Sequence, residues 1–291
     1  MKILSYSFFD PKIVTSDRFW DKCKSDQDRY YYNIPSVILT NVLLFPDYIS
    51  RVYITKNVIN NSLWPIFEIL SDYFSESGSL DIVIEDLDYL FTEPSILRMK
   101  PLWDNNVDIF HTRDVDSIAT EVEYKYLKAF ESSDYCIGSI RTHKNHFGGC
   151  RMLAGLSSFK PNKVPDNIKG PSFQDYYNKS HGGYGCDQDL MVNLFTTNPE
   201  FTESNYMDCR AYEQDRDPGF PCLSYNARDL NIEVEGYQKE VLDKIKDCGF
   251  ENWAGEPIDT RGEYNNYILK QFPDIEKEIR KSKMLSDFYK L

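Results

Sequence analysis

The sequence holds only four histidines, with no HExxH or comparable zinc spacing, and its seven cysteines form no CxxC pair. These absences argue against a zinc centre and against a disulfide framework, and the odd thiol count favours a reducing compartment. Cations are also scarce: 33 Lys and Arg against 46 Asp and Glu leave a formal net charge of −13, with a pI near 4.8. Partners with a phosphate backbone usually meet a Lys/Arg footprint, so nucleic acid is not expected. An acidic protein can still bind a nucleoside diphosphate when a metal ion supplies positive charge locally. No segment reaches the roughly 18 uninterrupted apolar residues of a membrane helix. Met1 to Asp10 carries one cation and an apolar stretch too short and broken for a signal peptide. The expectation is a soluble chain of the cytoplasm with no membrane span.

What the chain does have is length and apolar content, 291 residues at 41% hydrophobic, enough for a large core. Lys2 to Phe9 reads as a buried first strand. Pro35 suits the first turn of a helix that presents Val37, Ile38, Leu43 and Leu44 on one face and stops near Pro46. Arg51 to Thr55 alternates like a strand, Leu63, Phe67, Leu70 and Phe74 share one helical face, and Leu80 to Ile84 is strand again. This alternation predicts an α/β fold with a mostly parallel, doubly wound sheet flanked by helices. Ser157 to Tyr184, rich in Pro and Gly and poor in periodicity, reads as a long mobile loop, a lid or acceptor platform. Toward the end, Gly236 to Cys248 reads as a surface helix, and Asp274 is expected to cap a helix carrying Ile275, Ile279, Leu285 and Phe288.

The chemistry gathers around Asp114-Val-Asp116. The apolar run of Val107, Ile109 and Phe110 ends there, and Ser117 is placed to cap a helix bearing Ile118, Val122, Leu127 and Phe130. Ligands of open α/β sheets gather beyond the carboxyl ends of strands, where paired carboxylates suit a hard divalent cation. Acidic triplets are also common on solvated surfaces, and Asp86 and Asp88 form a rival pair. Arg98 is either a surface charge on a helix or a ligand of a donor diphosphate. Arg141, His143 and His146 follow a strand from Cys136 and are side chains suited to phosphate and sugar. Gly148 to Gly155 lets backbone approach a ligand closely, as a tight structural turn also would. Asp187 opens a helix bearing Leu190, Met191, Leu194 and Phe195; it is either a helix cap or a general base kept ionised by the helix dipole. Asp189 is the competing base.

Taken together, the pattern resembles the GT-A-type glycosyltransferases, especially the small soluble ones of large DNA viruses such as chloroviruses. Arg113-Asp-Val-Asp-Ser117 is similar to their RDxDS metal motif, and Arg141-Thr-His-Lys-Asn-His146 to RDHxxH with Thr142 in place of the acid. Met152-Leu-Ala-Gly-Leu156 resembles the donor loop, with Leu156 and Ser157 in place of Trp-Gly, and Tyr184-Gly-Cys-Asp-Gln188 resembles YGxDQ. Tyr32-Asn-Ile-Pro35 and Ala254-Gly-Glu256 fall in family-like places, while Met207-Asp208 stands where the family often has His-Asp. The resemblance implies a single GT-A domain over residues 1–291, with a donor half at 1–117 and an acceptor half with C-terminal helices at 118–291. It implies a metal-dependent transferase that moves a sugar from a nucleoside diphosphate, UDP with xylose as the first choice of sugar, to a glycan hydroxyl; a single base at Asp187 behind the acceptor points to inversion. Asp116 and Asp114 would hold Mn2+ or Mg2+, and Asp187 would be the base. Arg98, Ser5 and Tyr6 would contact the donor, as would Ala154, Gly155, Arg141 and His146. A viral protein of this kind would work in the host cytoplasm. A hydrolase of nucleotide sugars or phosphodiesters and a non-catalytic nucleotide-sugar-binding module are the other classes.

Overall fold

The computed structural model describes residues 1–9, 27–86, 94–141, 152–179, 185–210, 223–226, 230, 232–250, 256–257 and 263–291. Its centre is an eight-stranded sheet in the order β3-β2-β1-β4-β7-β6-β8-β9. The strands are β1 (Lys2–Phe8), β2 (Ile49–Thr55), β3 (Leu80–Glu85), β4 (Ile109–Thr112), β6 (Ile137–Arg141), β7 (Ser157–Phe159), β8 (Tyr206–Arg210) and β9 (Leu223–Asn226). All neighbours pair in parallel except β7, which runs antiparallel to both β4 and β6. The expected mostly parallel α/β sheet is therefore present, with one reversed strand at its middle.

The alternation of β1 explains both layers. Leu4, Tyr6 and Phe8 face a core shared with the Gln27–Leu44, Pro65–Phe74 and Gly236–Asp247 helices. Ile3 faces the opposite core, under Ile96, Met99 and Leu102 of a 3-10 segment, Pro94–Trp103, and Leu190 and Met191 of the Cys186–Thr196 helix. On that second face the small side chains of Ser5 and Ser7 let the 3-10 segment lie against the strand, and their hydroxyls donate to its carbonyls at Arg98 (2.7 Å) and Ser95 (3.2 Å). A central strand covered on both faces must be apolar or hydrogen-bonded throughout, as this one is.

Four expectations are corrected. The first helix already runs from Gln27, with Pro35 inside it. Burial of Tyr31 against Phe8 (ring centroids 4.8 Å apart) and of Tyr32 against Tyr289 (5.2 Å) draws the preceding turns into the helix and outweighs the missing proline N–H. Ser117 caps nothing: with Ile118 it forms a short strand, β5, antiparallel to β10 (Glu256–Pro257), and the next helix, Glu121–Ser132, starts after Thr120. Ser157 to Lys179 is not a loop. It holds β7, a 3-10 turn at Pro161–Lys163 and helices Asp166–Lys169 and Phe173–Asn178, with Phe159 stacked on Phe110 at 4.8 Å. Its prolines start turns instead of marking disorder, and residues 180–184 of the expected lid lie outside the described residues. At the C-terminal end Phe272 occupies the cap position before Pro273, and Asp274 sits in the first turn. The expected helix is two, Pro273–Lys281 and Lys283–Tyr289, separated at Ser282, whose hydroxyl accepts from the Leu285 amide at 3.3 Å. Among the described residues no helix is long and apolar enough to cross a membrane.

Candidate active site

Parallel β1 and β4 end on the same edge of the sheet, and the Arg113 amide extends their pairing by donating to the Ser5 carbonyl at 2.9 Å. There the chain turns. Ser117 closes the turn by donating its amide (3.4 Å) and its hydroxyl (3.2 Å) to the Asp114 carbonyl. Val115 points inward at 7% exposure, which leaves Asp114 exposed and Asp116 half-buried on either side of it. Beneath the turn Arg113 is buried, ion-paired with the buried Glu123 of the Glu121–Ser132 helix, and it donates to the Ser117 carbonyl at 3.3 Å. Burial lowers the pKa of Arg113, and Tyr6 and Asp114 offset part of this.

A second guanidinium meets the turn from above. Arg98, carried by the 3-10 segment, donates through Nη1 to Asp114 Oδ1 at 2.5 Å and to the Arg113 carbonyl at 3.4 Å. Its Nε donates to Asp187 Oδ2 at 3.0 Å, and its Nη2 donates to the same oxygen. Arg98 is therefore not a surface charge. It is buried, and although burial alone would favour its neutral form, Asp187 and Asp114 more than offset this and hold it firmly protonated. One side chain thus ties the strand-end acid to the first turn of the Cys186–Thr196 helix. That helix opens after Gly185, whose φ of 81° is a left-handed conformation suited to glycine.

The third approach is by backbone. A Cβ built on Gly155 would lie 2.1 Å from Asp114 Oδ2 and 2.7 Å from Oδ1. Any larger residue here would force the Asp114 carboxylate to shift, because the carboxylate occupies the space where a Cβ would stand. The loop bearing it is held by Leu153 N–H to Ser139 Oγ (3.1 Å), Ser157 Oγ–H to the Leu153 carbonyl (2.8 Å) and Ser157 N–H to Thr112 Oγ1 (3.1 Å). Sequence reading expected Ala154 and Gly155 to approach a ligand. The structure shows Gly155 approaching Asp114, with Ala154 buried beside it.

Arg98, Asp114, Gly155 and Asp187 are thus brought together, with Asp116 on the same turn. Ser5 and Tyr6 lie beneath them, fully buried: Ser5 fixes the Arg98 backbone, and the Tyr6 hydroxyl accepts from Asn41 at 2.5 Å. Burial, the largest influence, raises the Tyr6 pKa against the opposing pull of Arg113. Their side chains support the site and do not face it. Arg141 ends β6 opposite Arg210, and Thr142, His143 and His146 lie outside the described residues. The rival Asp86 is exposed and paired with Lys56 at 3.0 Å, three strands from β4, roughly 14 Å away at ordinary strand spacing, and Asp88 lies outside the described residues. Asp189 is exposed, whereas Asp187 is 3% exposed. Asp187, expected as the base, lies in the first turn of its helix, and its Oδ1 accepts from the Gln188 amide at 2.8 Å.

No protein-family model matches this sequence, and no curated protein does. Among solved structures, the chain is similar to the apo form of mouse xyloside xylosyltransferase 1 at 10% identity and a TM-score of 0.36, covering 70% of this chain and 83% of that one. It is also similar to a glycosyltransferase involved in glycosylation of the major capsid of PBCV-1, at 16% identity and a TM-score of 0.26, covering 62% of this chain and 84% of that one. Scores this low define no fold family, so the residues of the site carry the functional reading.

Chemically, Asp114 and Asp116 offer two carboxylates to a hard cation that would complete its shell with water and phosphate oxygens. Asp208, the surviving half of the expected His-Asp pair, is buried within β8 beside Ser139 of β6. No cluster of three or more His, Cys, Asp or Glu able to hold a metal occurs among the described residues. The donor chemistry of the two carboxylates, Asp114 exposed and Asp116 half-buried on one turn, would suit Mg2+ or Mn2+, with Arg98 already on one Asp114 oxygen. Two contributors were missed by sequence reasoning. Glu123 was legible only as an acid interrupting an apolar helical stripe. His111 is a core residue held by Tyr48 (3.0 Å) and Ser158 (2.5 Å), its pKa pushed well below the usual value by burial and then by Arg113, Lys128, Lys160 and Lys2.

Proposed function

We propose that this chain is a metal-dependent glycosyltransferase of GT-A type that moves a sugar from a nucleoside diphosphate to a glycan hydroxyl. The observation that supports this reading best is the bridge of Arg98 between Asp114 and Asp187, at the carboxyl end of the central strand with Gly155 behind it. Residues 1–117 supply the donor half up to the acid turn, and 118–291 the acceptor half. Mn2+ or Mg2+ on Asp116 and Asp114 would act as a Lewis acid toward the leaving diphosphate. Arg98 adds fixed positive charge in a dry setting, where preorganised charge acts most strongly on a developing anion. Asp187, which holds Arg98 on one oxygen and accepts from the Gln188 amide on the other, positions that arginine and keeps lone pairs with which it would take the acceptor proton as an inverting base. UDP, with xylose as first choice of sugar, is the donor to test. Among the described residues Cys136, Cys209 and Cys248 form no disulfide, which fits a reducing cytoplasm.

The same acids and Arg98 would also serve a hydrolase of nucleotide sugars, so the two readings are separated by the acceptor. Donor turnover with and without a glycan acceptor, with Mn2+ and with chelator, tests the reading. Acceptor-dependent release of UDP is expected, and Asp116→Asn is expected to abolish metal-dependent donor binding in calorimetry while the unfolding midpoint stays put. Equal release of UDP without acceptor would point to hydrolysis, and binding without turnover would point to a binding module.

A further inference from the structure

Pro35 lies inside the Gln27–Leu44 helix and has no backbone N–H, so the carbonyl of Tyr31, one turn earlier, is denied its regular helical partner. A donor from far along the chain replaces it. The hydroxyl of Tyr289, 258 positions later in the sequence, donates to the Tyr31 carbonyl at 2.8 Å. Tyr31 is 1% exposed and Tyr289 4% exposed, so bulk water is not at hand as a substitute. Rings back the bond, with Tyr32 lying 5.3 Å from Phe288 and 5.2 Å from Tyr289. Past the proline the helix is held by a different element. There Ser36 donates to Asn265 Oδ1, and the Thr40 hydroxyl lies 2.6 Å from that of Tyr264, both partners belonging to the Glu263–Lys270 helix.

The proline thus divides one helix into two parts with different holders. The part before it, residues 27–34, is too short to be stable as an isolated helix. It carries Tyr31, whose ring meets Phe8, the last residue of β1, edge-on at 4.8 Å. We propose that the Lys283–Tyr289 helix is a strap: the Tyr289 hydroxyl stands in for the N–H that Pro35 lacks, and residues 27–34 and 283–289 dock and release as one cooperative unit while residues 38–44 stay folded. With the strap docked, Tyr31 covers one face of the strand whose Ser5 supports the Arg98 backbone on the other. With the strap released, that strand loses its cover on the helix side. The device acts whatever ligand the site takes.

Tyr289→Phe keeps the ring and removes the donor. In the wild-type background it is expected to raise the unfolding equilibrium constant, measured in urea, about 5- to 150-fold, the cost of leaving a buried carbonyl unpaired. Pro35→Ala gives position 35 an N–H that can serve the Tyr31 carbonyl, and in that background Tyr289→Phe is expected to cost about twofold or less. No loss in the wild-type background, or equal losses in the two backgrounds, would overturn the proposal, since the hydroxyl would then act independently of the proline. Native-state hydrogen exchange gives a second measurement that stands even if Pro35→Ala fails to fold. In the wild-type chain the amides of residues 31–34 and 287–289 are expected to open with one common equilibrium constant, larger than that of residues 38–44, and Tyr289→Phe is expected to speed both sets by the same factor. Acceleration of 287–289 alone, or protection of 31–34 equal to that of 38–44, would show that the two segments do not move together and would overturn the strap.

Discussion

Two arginines flank the same turn and differ in what they hold. Arg113, below, is ion-paired with a glutamate as buried as itself and shares the Tyr6 and Asn41 neighbourhood. Arg98, above, joins one exposed acid to one buried acid and reaches the edge where a ligand would arrive. A guanidinium sealed among buried partners fixes the shape of a turn. One that shares an exposed carboxylate can exchange that partner for an incoming anion or cation, so the difference separates a strut from a working group.

Breaking the strut should have the largest effect. Glu123→Gln leaves Arg113 charged and unpaired in the interior, and unfolding in urea should show a loss of about 3–5 kcal/mol. If stability were unchanged, the pair would not be the support described. Next in size is Gly155→Ala, which drives a methyl into the Asp114 carboxylate. It should cost about 1–3 kcal/mol of stability as an overpacked contact, and weaken Mn2+ binding in calorimetry by displacing Asp114. Metal affinity equal to wild type would place the cation elsewhere. The smallest effect sharpens the comparison from the side of the core. His111 is kept neutral in the fold, so an unfolded chain takes up a proton there that the folded one refuses. Its contribution to stability is therefore complete above pH 6.5 and is lost as the pH falls below it toward the depressed folded-state pKa. Melting temperatures of His111→Gln should fall less steeply with acid than those of wild type over that window.

The first half of the chain was legible because each element there carries its own pattern. Val52 and Ile54 alternate on a strand, and Phe67, Leu70 and Phe74 repeat on a helix, so local periodicity and final burial agree. The acid turn was legible for the same reason, since an apolar strand stopped at two carboxylates. What stayed hidden were pairings between distant residues. β7 is three residues long, too short for periodicity, and its antiparallel seat between β4 and β6 depends on the Phe110–Phe159 stack. Ser117 looked like a helix cap because nothing nearby announces Glu256 and Pro257 as its strand partners. Arg98 showed its type but not its depth, which is set by the two small serines of β1 beneath it.

The ribbon of Ser117–Ile118 with Glu256–Pro257 also sets an order of events during synthesis. The acid turn leaves the ribosome about 140 residues before the strand that braces it, a wait of roughly 7–28 s at ordinary elongation rates. Over that interval the sheet from β1 to β4 can already form, while one side of the turn lacks its brace. A nascent or truncated chain ending before residue 256 would thus hold its acids on a half-supported turn, which gains its brace only when residues 256–257 pair with it.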